Sequence, residues 1–269
     1  METQLDQAQI TSRDNPLLQR ARAVRDGRET SLIFVEGLRL SEEALKSRLE
    51  IQAVIYSDEI AHKERARQFL EQVSPVAKRV AAVSEKLLAT ISFTKTPQGI
   101  VLLANRPQTA RPLVVNSPHI PLLVVLHRIN NPVNVGAILR TAEAAGATGA
   151  IATSQTSDPF SPKSLRGAMG AAFRLPIWHG ITYAEAMNWC RENRVTLLAA
   201  DAEGKMCYTD FDWTVASALV LGPESEGLSA EEIAATKHSV RIPMKGSVES
   251  LNVAVTAGVL LYEAARQRG

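Results

Sequence analysis

The sequence predicts an α/β protein with two domains, the second of which is built on a parallel β-sheet covered by helices. Short apolar runs alternate with amphipathic stretches along the chain, which is the pattern of alternating strands and helices. Residues 107–120 are rich in proline, which fixes φ and removes a backbone donor, so they predict an extended linker. Of the 15 glycines, three precede residue 107 and twelve follow it, which concentrates tight loops in the second domain.

Composition limits the classes of protein that are possible. The chain has 269 residues, 45% of them hydrophobic, and a formal net charge of +2, which excludes a disordered chain and a strongly basic nucleic-acid-binding tail. Two cysteines cannot build a disulfide framework, so we expect a reducing, cytoplasmic location. The polar start of the chain does not resemble a secretion signal, and the longest uncharged apolar stretch, residues 251–262, is too short for a bilayer. We therefore expect no membrane association.

The first domain is predicted over residues 1–106. Asn15 followed by Pro16 predicts a helix start, with asparagine as the cap and proline in the first turn of a basic helix that reaches Arg25. The remaining elements follow from apolar runs and amphipathic stretches. Strands are predicted at 31–36, 51–56, 80–83 and 100–104, and helices at 40–49 and 61–73.

The second domain is predicted over residues 121–269. LLVVL, residues 122–126, is apolar at every position, which is typical of a strand buried on both faces of a sheet. Further strands are predicted at 149–152, 175–178, 196–200, 218–221 and 240–242, and helices at 133–145, 164–169, 183–192 and 251–266. Parallel sheets of this kind bind ligands at the carboxyl ends of their strands. The run LVV at 113–115, inside the linker, allows one further edge strand.

Three segments follow buried strands and precede helices, where such a sheet places its ligand loops. In the first, Asn134, Gly136 and Arg140 lie near the start of a predicted helix, where backbone amides can form an anion site. It is equally plausible that Gly136 only allows close packing of the helix on the sheet and that Arg140 is a surface charge. In the second, Ser229 and Glu232 predict a capping box, which leaves Glu224 either a solvated charge or a functional group.

The third segment precedes the last helix. Ser250 is predicted to cap that helix, and Asn252, a polar residue at its apolar start, requires a hydrogen-bond partner. A fourth segment, residues 161–176, carries Lys163, Arg166 and Arg174 without an acid, which suits either phosphate contacts or a solvated basic loop.

Taken together, these segments resemble a known family. NPVNVGAILR (131–140), LGPESEGLS (221–229) and IPMKGSVESLNVA (242–254) resemble, in order and spacing, the three motifs of the SpoU branch of the SPOUT RNA methyltransferases. RGAMGAAFRLP (166–176) is similar to the stretch between the first two motifs. The resemblance covers residues 120–266, about half of the chain.

The first half resembles the L30e-like substrate-binding domain found in many members of that family. This likeness rests on SLIFVEGLRLSEEAL (31–45) and QGIVLLA (98–104). The layout of the whole chain resembles ribosomal RNA 2′-O-ribose methyltransferases of the thiostrepton-resistance type. The resemblance implies an α/β fold with a deep trefoil knot, S-adenosylmethionine (AdoMet) as cofactor, and a homodimer formed through the knotted domain.

The resemblance also implies site residues. The cofactor site would be lined by Ala199, Ala200, Gly222, Glu224, Ile242, Met244, Leu251 and Asn252. The catalytic residues would be Asn134, Arg140, Glu224, Ser250 and Asn252. Arginine is a poor base, so we expect Arg140 to hold the neighbouring phosphate and stabilise the developing alkoxide, while that phosphate or water accepts the proton. Methyl transfer from a sulfonium needs no metal, and the five histidines predict no metal cluster.

The expected substrate is RNA, with ribosomal RNA favoured. Candidate phosphate-binding residues come from a local excess of arginine near the first helix and from the fourth segment. They are Arg13, Arg20, Arg22, Arg25, Lys163 and Arg166. The alternatives are a transfer RNA methyltransferase, an RNA-binding protein that has lost catalysis, and a nucleotide-binding metabolic enzyme, for which the usual GxGxxG fingerprint is missing.

Overall fold

A computed structural model describes residues 8–112 and 119–269 of the chain. Its strands are β1 Ala8–Ile10, β2 Leu32–Glu36, β3 Ile51–Ser57, β4 Val80–Val83, β5 Ile100–Asn105, β6 Leu122–Leu126, β7 Gly149–Thr153, β8 Ile177–Ile181, β9 Thr196–Ala200, β10 Met206–Cys207, β11 Ser217–Leu221 and β12 His238–Arg241. Its helices are α1 Pro16–Arg25, α2 Leu38–Lys46, α3 Asp58–Ala61, α4 Glu64–Val73, α5 Glu85–Ile91, α6 Pro132–Ala144, α7 Pro162–Ala168, α8 Ala171–Arg174, α9 Tyr183–Glu192, α10 Ala230–Thr236 and α11 Val253–Arg268. These elements confirm a mixed α/β fold.

The chain divides into two compact units. The first comprises Met1–Gln108 and Phe160–Phe173, and the second comprises Thr109–Pro159 and Arg174–Gly269. Within the second unit, Ala110 N donates to Ile177 O, so part of the predicted linker hydrogen-bonds to β8. The edge strand considered at 113–115 lies outside the described residues.

The first unit contains a five-stranded sheet in the order β1-β4-β3-β5-β2. β5 pairs antiparallel with both β2 and β3, whereas β4 pairs parallel with β1 and β3. The predicted cap of α1 is confirmed, because Leu17 N donates to Asn15 Oδ1 at 2.9 Å and Pro16 is the first helical residue. The predicted helix at 61–73 corresponds to α4, which begins at Glu64, whereas β1, α3 and α5 were not predicted.

The second unit contains a seven-stranded sheet in the order β10-β12-β9-β11-β6-β7-β8. Every pair of neighbouring strands in the described part of this sheet is parallel, as predicted. β6 is buried at all five positions, which confirms the inference from LLVVL. β8 begins at Ile177 rather than at the predicted Leu175, because Pro176 cannot donate a ladder hydrogen bond.

The end of α11 is tied to the amino ends of two central strands. Arg268 donates from its guanidinium to the carbonyls of Ile120, Pro121, Trp213 and Val215 and to Ser217 Oγ, at distances from 2.6 to 3.2 Å. Ile120 and Pro121 precede β6, and Val215 precedes β11. One side chain therefore bridges several carbonyls where these strands begin, including Pro121 O, which also accepts from Ser217 N.

No helix among the described residues combines the length and the apolar character that crossing a membrane would require.

Candidate active site

A cavity of about 510 Å³ lies at the carboxyl ends of β9, β11 and β12. This is the end of a parallel sheet where ligands are expected, and the volume lies within the range of cofactor pockets. Seven of the eight predicted cofactor residues line the cavity: Ala200, Gly222, Glu224, Ile242, Met244, Leu251 and Asn252. The eighth, Ala199, is fully buried in β9 one residue before the cavity begins.

The cavity is acidic. Four carboxylate residues line it, Asp201, Glu224, Glu226 and Glu249, and sequence analysis had identified only Glu224. None of the described lining residues carries a cationic side chain. Such a site favours a ligand with positive charge and opposes a nucleotide phosphate.

The loop between β11 and α10 forms one wall of the cavity and turns back tightly on itself. Gly227 N donates to Pro223 O at 3.0 Å, and Gly227 has a φ of +66°. A Cβ atom at Gly222 would lie 2.8 Å from Leu228 N, which real side chains do not tolerate. Glycine at 222 is therefore required by the close return of the backbone.

Asn252, and not Ser250, caps the last helix, so the prediction for Ser250 was wrong. Ala254 N and Val255 N donate to Asn252 Oδ1 at 2.9 and 3.4 Å, and the helix begins at Val253. Asn252 has a ψ of 138°, outside the helical region, which is the conformation a capping residue adopts. Ser250 lines the cavity as an exposed residue.

Asn134 lies beside Asn252 at the edge of this site. It belongs to the first turn of α6 rather than to the preceding loop, and its Oδ1 accepts from Asn252 Nδ2 at 3.5 Å. Asn134 Nδ2 is buried and has no hydrogen-bond partner in the described structure. A buried amide donor without a partner costs free energy, so this atom indicates a place where a ligand or water is bound.

Arg140 does not line the cavity. It lies six residues after Asn134 on α6, which places the two side chains about 120° apart around the helix. Its side chain is exposed, and it has no hydrogen bond or ion pair with any residue that the structure describes. Among the predicted catalytic residues, the structure thus brings together Asn134, Glu224, Ser250 and Asn252, and leaves Arg140 apart.

A partly buried charged cluster lies at the first turn of α10, and sequence analysis missed it. Glu232 Oε1 accepts from His127 Nε2 at 2.9 Å, and both carboxylate oxygens accept from Arg128 at 3.1 Å. The same carboxylate completes the predicted capping box with Ser229, which is confirmed. Tyr183 adds a hydrogen bond from its hydroxyl to Glu232 O and packs its ring 4.4 Å from the His127 ring.

The pKa values in this cluster are shifted by burial and pairing. Burial lowers the pKa of His127 although Glu232 opposes that effect, so Nε2–H of the neutral imidazole donates to the carboxylate. Burial tends to raise the pKa of Glu232, but hydrogen bonds from Ser229 and His127 hold it below its ordinary value. Burial raises the pKa of Tyr183 to about 12. His127 and Arg128 directly follow a buried strand, which is the signal that could have identified them.

The predicted RNA-binding arginines near α1 are mostly engaged within the first unit. Arg20 pairs with Glu29 at 2.6 Å, and Arg22 donates to Arg13 O at 2.8 Å. Arg25 pairs with Asp26 at 2.7 Å and also donates to the carbonyls of Thr90 and Ser92. The side chains of Arg13, Lys163 and Arg166 are exposed.

The described residues contain no group of three or more histidine, cysteine, aspartate or glutamate side chains arranged to hold a metal ion.

The protein belongs to the SpoU rRNA methylase family, whose model matches residues 121–262, more than half of the chain. Residues 17–102 match the MRM3-like substrate binding domain. Both matches agree with the resemblance drawn from the motifs and from the first half of the sequence.

Similar proteins cover nearly the whole chain. An uncharacterized tRNA/rRNA methyltransferase of Synechocystis sp. is 31% identical over 98% of this chain and 95% of its own length. A 23S rRNA (uridine(2479)-2′-O)-methyltransferase of Streptomyces viridochromogenes is 30% identical over 87% of this chain and 83% of its own. The structure of an AdoMet-bound rRNA methyltransferase from Sinorhizobium meliloti superposes with a TM-score of 0.83 at 32% identity, covering 96% of this chain and 97% of that chain.

Proposed function

We propose that this protein transfers the methyl group of AdoMet to a ribose 2′-hydroxyl in ribosomal RNA. The observation that carries this proposal is the acidic cavity of about 510 Å³, bounded by the second and third motifs and adjacent to the unpaired amide of Asn134 in the first. The relatives that methylate ribosomal RNA at this hydroxyl, and the similar structure with bound AdoMet, support the same reaction.

The cavity fits AdoMet in size and in charge. The cofactor carries a sulfonium and an ammonium group, and Asp201, Glu224, Glu226 and Glu249 offer the negative charge that stabilises them. Gly222 keeps the β11–α10 loop close enough for its backbone to contact the ligand, while Ile242 and Leu251 offer apolar surface. When bound, AdoMet supplies an electrophilic methyl group. A nucleotide-binding enzyme is disfavoured because phosphate would meet the same carboxylates.

The side of the site that receives the RNA is formed by the first motif. A ribose hydroxyl is a weak nucleophile until its proton is withdrawn, so the site must orient it and stabilise the developing oxyanion. We assign Asn134 Nδ2 to the ribose and Arg140 to the adjacent phosphate, where its positive charge stabilises the alkoxide. The proton passes to the phosphate or to water, because a guanidinium remains protonated. Asn252 holds the Asn134 amide, and Ser250 and Glu224 position the loops.

Residues 1–106 are proposed to bind the RNA substrate, with 107–120 as the linker and 121–269 as the methyltransferase domain. The match of residues 17–102 to a substrate binding domain supports this division. Arg13, Lys163 and Arg166 are candidate RNA contacts with exposed side chains, and Arg20 is exposed as well but pairs with Glu29. Arg22 and Arg25 are engaged within the first unit.

We also propose a homodimer through the second domain, with the motif loops threaded as a trefoil knot and a cytoplasmic location that suits free thiols. Three large apolar side chains are about half exposed on α6 and α11: Val133 at 53%, Val255 at 52% and Tyr262 at 55%. Val255 and Tyr262 are seven residues apart and share one helix face, so a second copy could cover them. Arg140 and Asn134 point in different directions from α6, which suits a dimer in which Arg140 acts on the partner's site.

Transfer of tritium from labelled AdoMet tests the reaction. We expect label in 23S ribosomal RNA, and mapping of the modified nucleotide should find 2′-O-methylation. Label in transfer RNA alone would show that the substrate is transfer RNA and would leave the proposed reaction unchanged. AdoMet binding by calorimetry without transfer to either RNA would indicate a binding protein, and failure to bind AdoMet would overturn the proposal.

A further inference from the structure

A second cavity, of about 320 Å³, lies at the amino end of β9, which is the opposite end of the strand from the acidic cavity. Its walls come from the ends of α9 and α10 and from the start of β12. Arg191, Arg194, Lys237 and His238 line it, over apolar surface from Val195 and Leu197. No carboxylate is among its described lining residues. Its charge is therefore opposite to that of the cofactor cavity.

Arg191 is held in place at this cavity. Its guanidinium donates to Asn188 Oδ1 and to Ala235 O, both at 2.8 Å, which ties the last turn of α9 to the end of α10. These two bonds use part of the donor capacity of the group, which has five N–H bonds. An arginine fixed by two local acceptors, and still exposed, is preorganised to contact an anion.

Arg194 and Lys237 occupy backbone positions that favour glycine. Arg194 has a φ of +57° and Lys237 a φ of +67°, each directly beyond the end of a helix. Glycine commonly ends helices in this conformation because it has no Cβ to clash. A helix dipole attracts cations to this end, and Arg191 already supplies one in the last turn of α9, whereas the last turn of α10 contains none. The dipole therefore accounts for Lys237 but not for Arg194, a second cation beyond α9 at a strained backbone position on this cavity.

We infer that this basic cavity is a second RNA contact, in which Arg191, Arg194 and Lys237 bind backbone phosphate at the amino end of β9. The inference rests on the proposed function, since it takes RNA as the substrate. The five residues of β9 separate the two cavities by about 15 Å through the protein, with one cavity at each end of the strand. An RNA that folds around the second domain can thus present a ribose to the methyl donor and phosphate to this cavity.

The test uses the double variant Arg194→Gly with Lys237→Gly in the full-length protein. Glycine suits both backbone positions, so we expect the variant to fold with an unchanged or higher Tm and with unchanged AdoMet binding. Affinity for a 23S ribosomal RNA transcript is measured between about 50 mM and 200 mM salt. The slope of log K against log salt should fall by about 2, which is about 1 for each cation removed. Arg266→Ala is the control, because Arg266 is an exposed cation of the second unit that lies outside the cavity.

The outcomes separate this inference from the proposed function. A lower salt slope in the double variant, with the slope retained in Arg266→Ala, supports the cavity as an RNA contact. If the wild-type protein methylates the transcript and the double variant keeps the full slope, the inference about the cavity is overturned and the proposed function stands. An equal loss of slope in Arg266→Ala also overturns the inference, as does weaker binding to ribosomal particles with unchanged binding to free RNA, which would assign the cavity to a protein. If the wild-type protein neither transfers a methyl group nor binds RNA, both proposals are overturned.

Discussion

Asn252 Nδ2 lies 3.5 Å from Asn134 Oδ1, and these two side chains join the third motif to the first across 118 residues of sequence. The contact occupies the oxygen of Asn134 and leaves its Nδ2 buried without a partner. Asn252 thereby does two things, because its own oxygen caps α11 while its nitrogen fixes the direction of the Asn134 amide.

Asn252→Asp separates these two roles. Aspartate caps a helix as well as asparagine does, so the free energy of unfolding should change by less than about 0.5 kcal/mol. The new carboxylate accepts from Asn134, whose amide then turns its Nδ2 away from the RNA site. We expect kcat/KM to fall about 10- to 100-fold, the effect of losing one buried hydrogen bond. Asn252→Ala should also cost roughly 0.5–2 kcal/mol of stability. Full activity in the aspartate variant would contradict the assigned role of the amide.

The acidic cavity predicts a preference for the charged cofactor over its product. Glu224→Gln should weaken AdoMet binding about 5- to 10-fold at low salt, because one of the four carboxylates that line the cavity is lost. S-adenosylhomocysteine has no sulfonium charge, so its Kd should change less than about 2-fold. Calorimetry with both ligands measures this difference. Glu231→Gln, an exposed change outside the cavity, is the control, and equal losses for the two ligands would rule out a charge effect.

Mixing two inactive variants tests whether Arg140 acts across a dimer. Arg140→Ala and Asn252→Ala should each be inactive alone. If Arg140 completes the partner's site, mixed dimers contain one intact site, and an equal mixture that exchanges subunits should recover roughly a quarter of wild-type activity. Recovery measured by tritium transfer to 23S ribosomal RNA supports action across the interface. No recovery, with subunit exchange verified by light scattering and mass analysis, would place Arg140 in its own site.

The cluster around Glu232 predicts loss of stability in acid. The pKa values of His127 and Glu232 are both lowered on folding, so the native state binds fewer protons than the unfolded state. Stability is therefore greatest above the ordinary His127 value of 6.5 and falls as pH drops below it. His127→Gln should flatten the decline of Tm between about pH 6.5 and 5. His238→Gln, which removes an exposed imidazole, should leave that decline unchanged; an unaltered decline in His127→Gln would exclude His127 as its cause.

Arg268 predicts a specific loss of stability in the second domain. Arg268→Ala leaves four carbonyls and a hydroxyl without their shared donor, and we expect the free energy of unfolding to fall by about 2–4 kcal/mol. Such a change corresponds to a Tm lower by roughly 5–15 °C for a domain of this size. Arg266→Ala is the control, because the Arg266 side chain is 68% exposed and pairs only locally with Glu263 among the described residues. Equal Tm values for the two variants would contradict the proposed contribution of Arg268.

Local patterns predicted much of the fold. LLVVL gave the bounds of β6 because every position is buried, and Asn15 with Pro16 gave the start of α1 because the cap is local. The cap of α11 was misplaced by two residues, since Ser250 and Asn252 are both good capping residues and only the backbone angles distinguish them. The helix α5 was missed although Ser84 caps it, because its seven residues form too short an amphipathic pattern.

The candidate site was less predictable where its contacts are long-range. Seven of the eight residues that the family resemblance implied for the cofactor site line the cavity. The pairing of Glu232 with His127 and Arg128 could not be predicted, since these two residues precede it by more than 100 residues, although their position after a buried strand marks them as candidates. The sequence likewise could not predict that Glu29 and backbone carbonyls engage several of the arginines near α1, and their role in RNA binding stays a prediction.

The position of Arg268 at the end of the chain has a consequence for folding during synthesis. It lies 147 residues after Pro121, whose carbonyl it satisfies. At about 5–20 residues per second, a ribosome needs roughly 7–30 s to synthesise that interval. During this time β6 has left the ribosome without its partner β11 or its final brace, and its apolar residues stay available for wrong association. We expect nascent chains of this protein to depend on chaperones that shield β6 until α11 has been made.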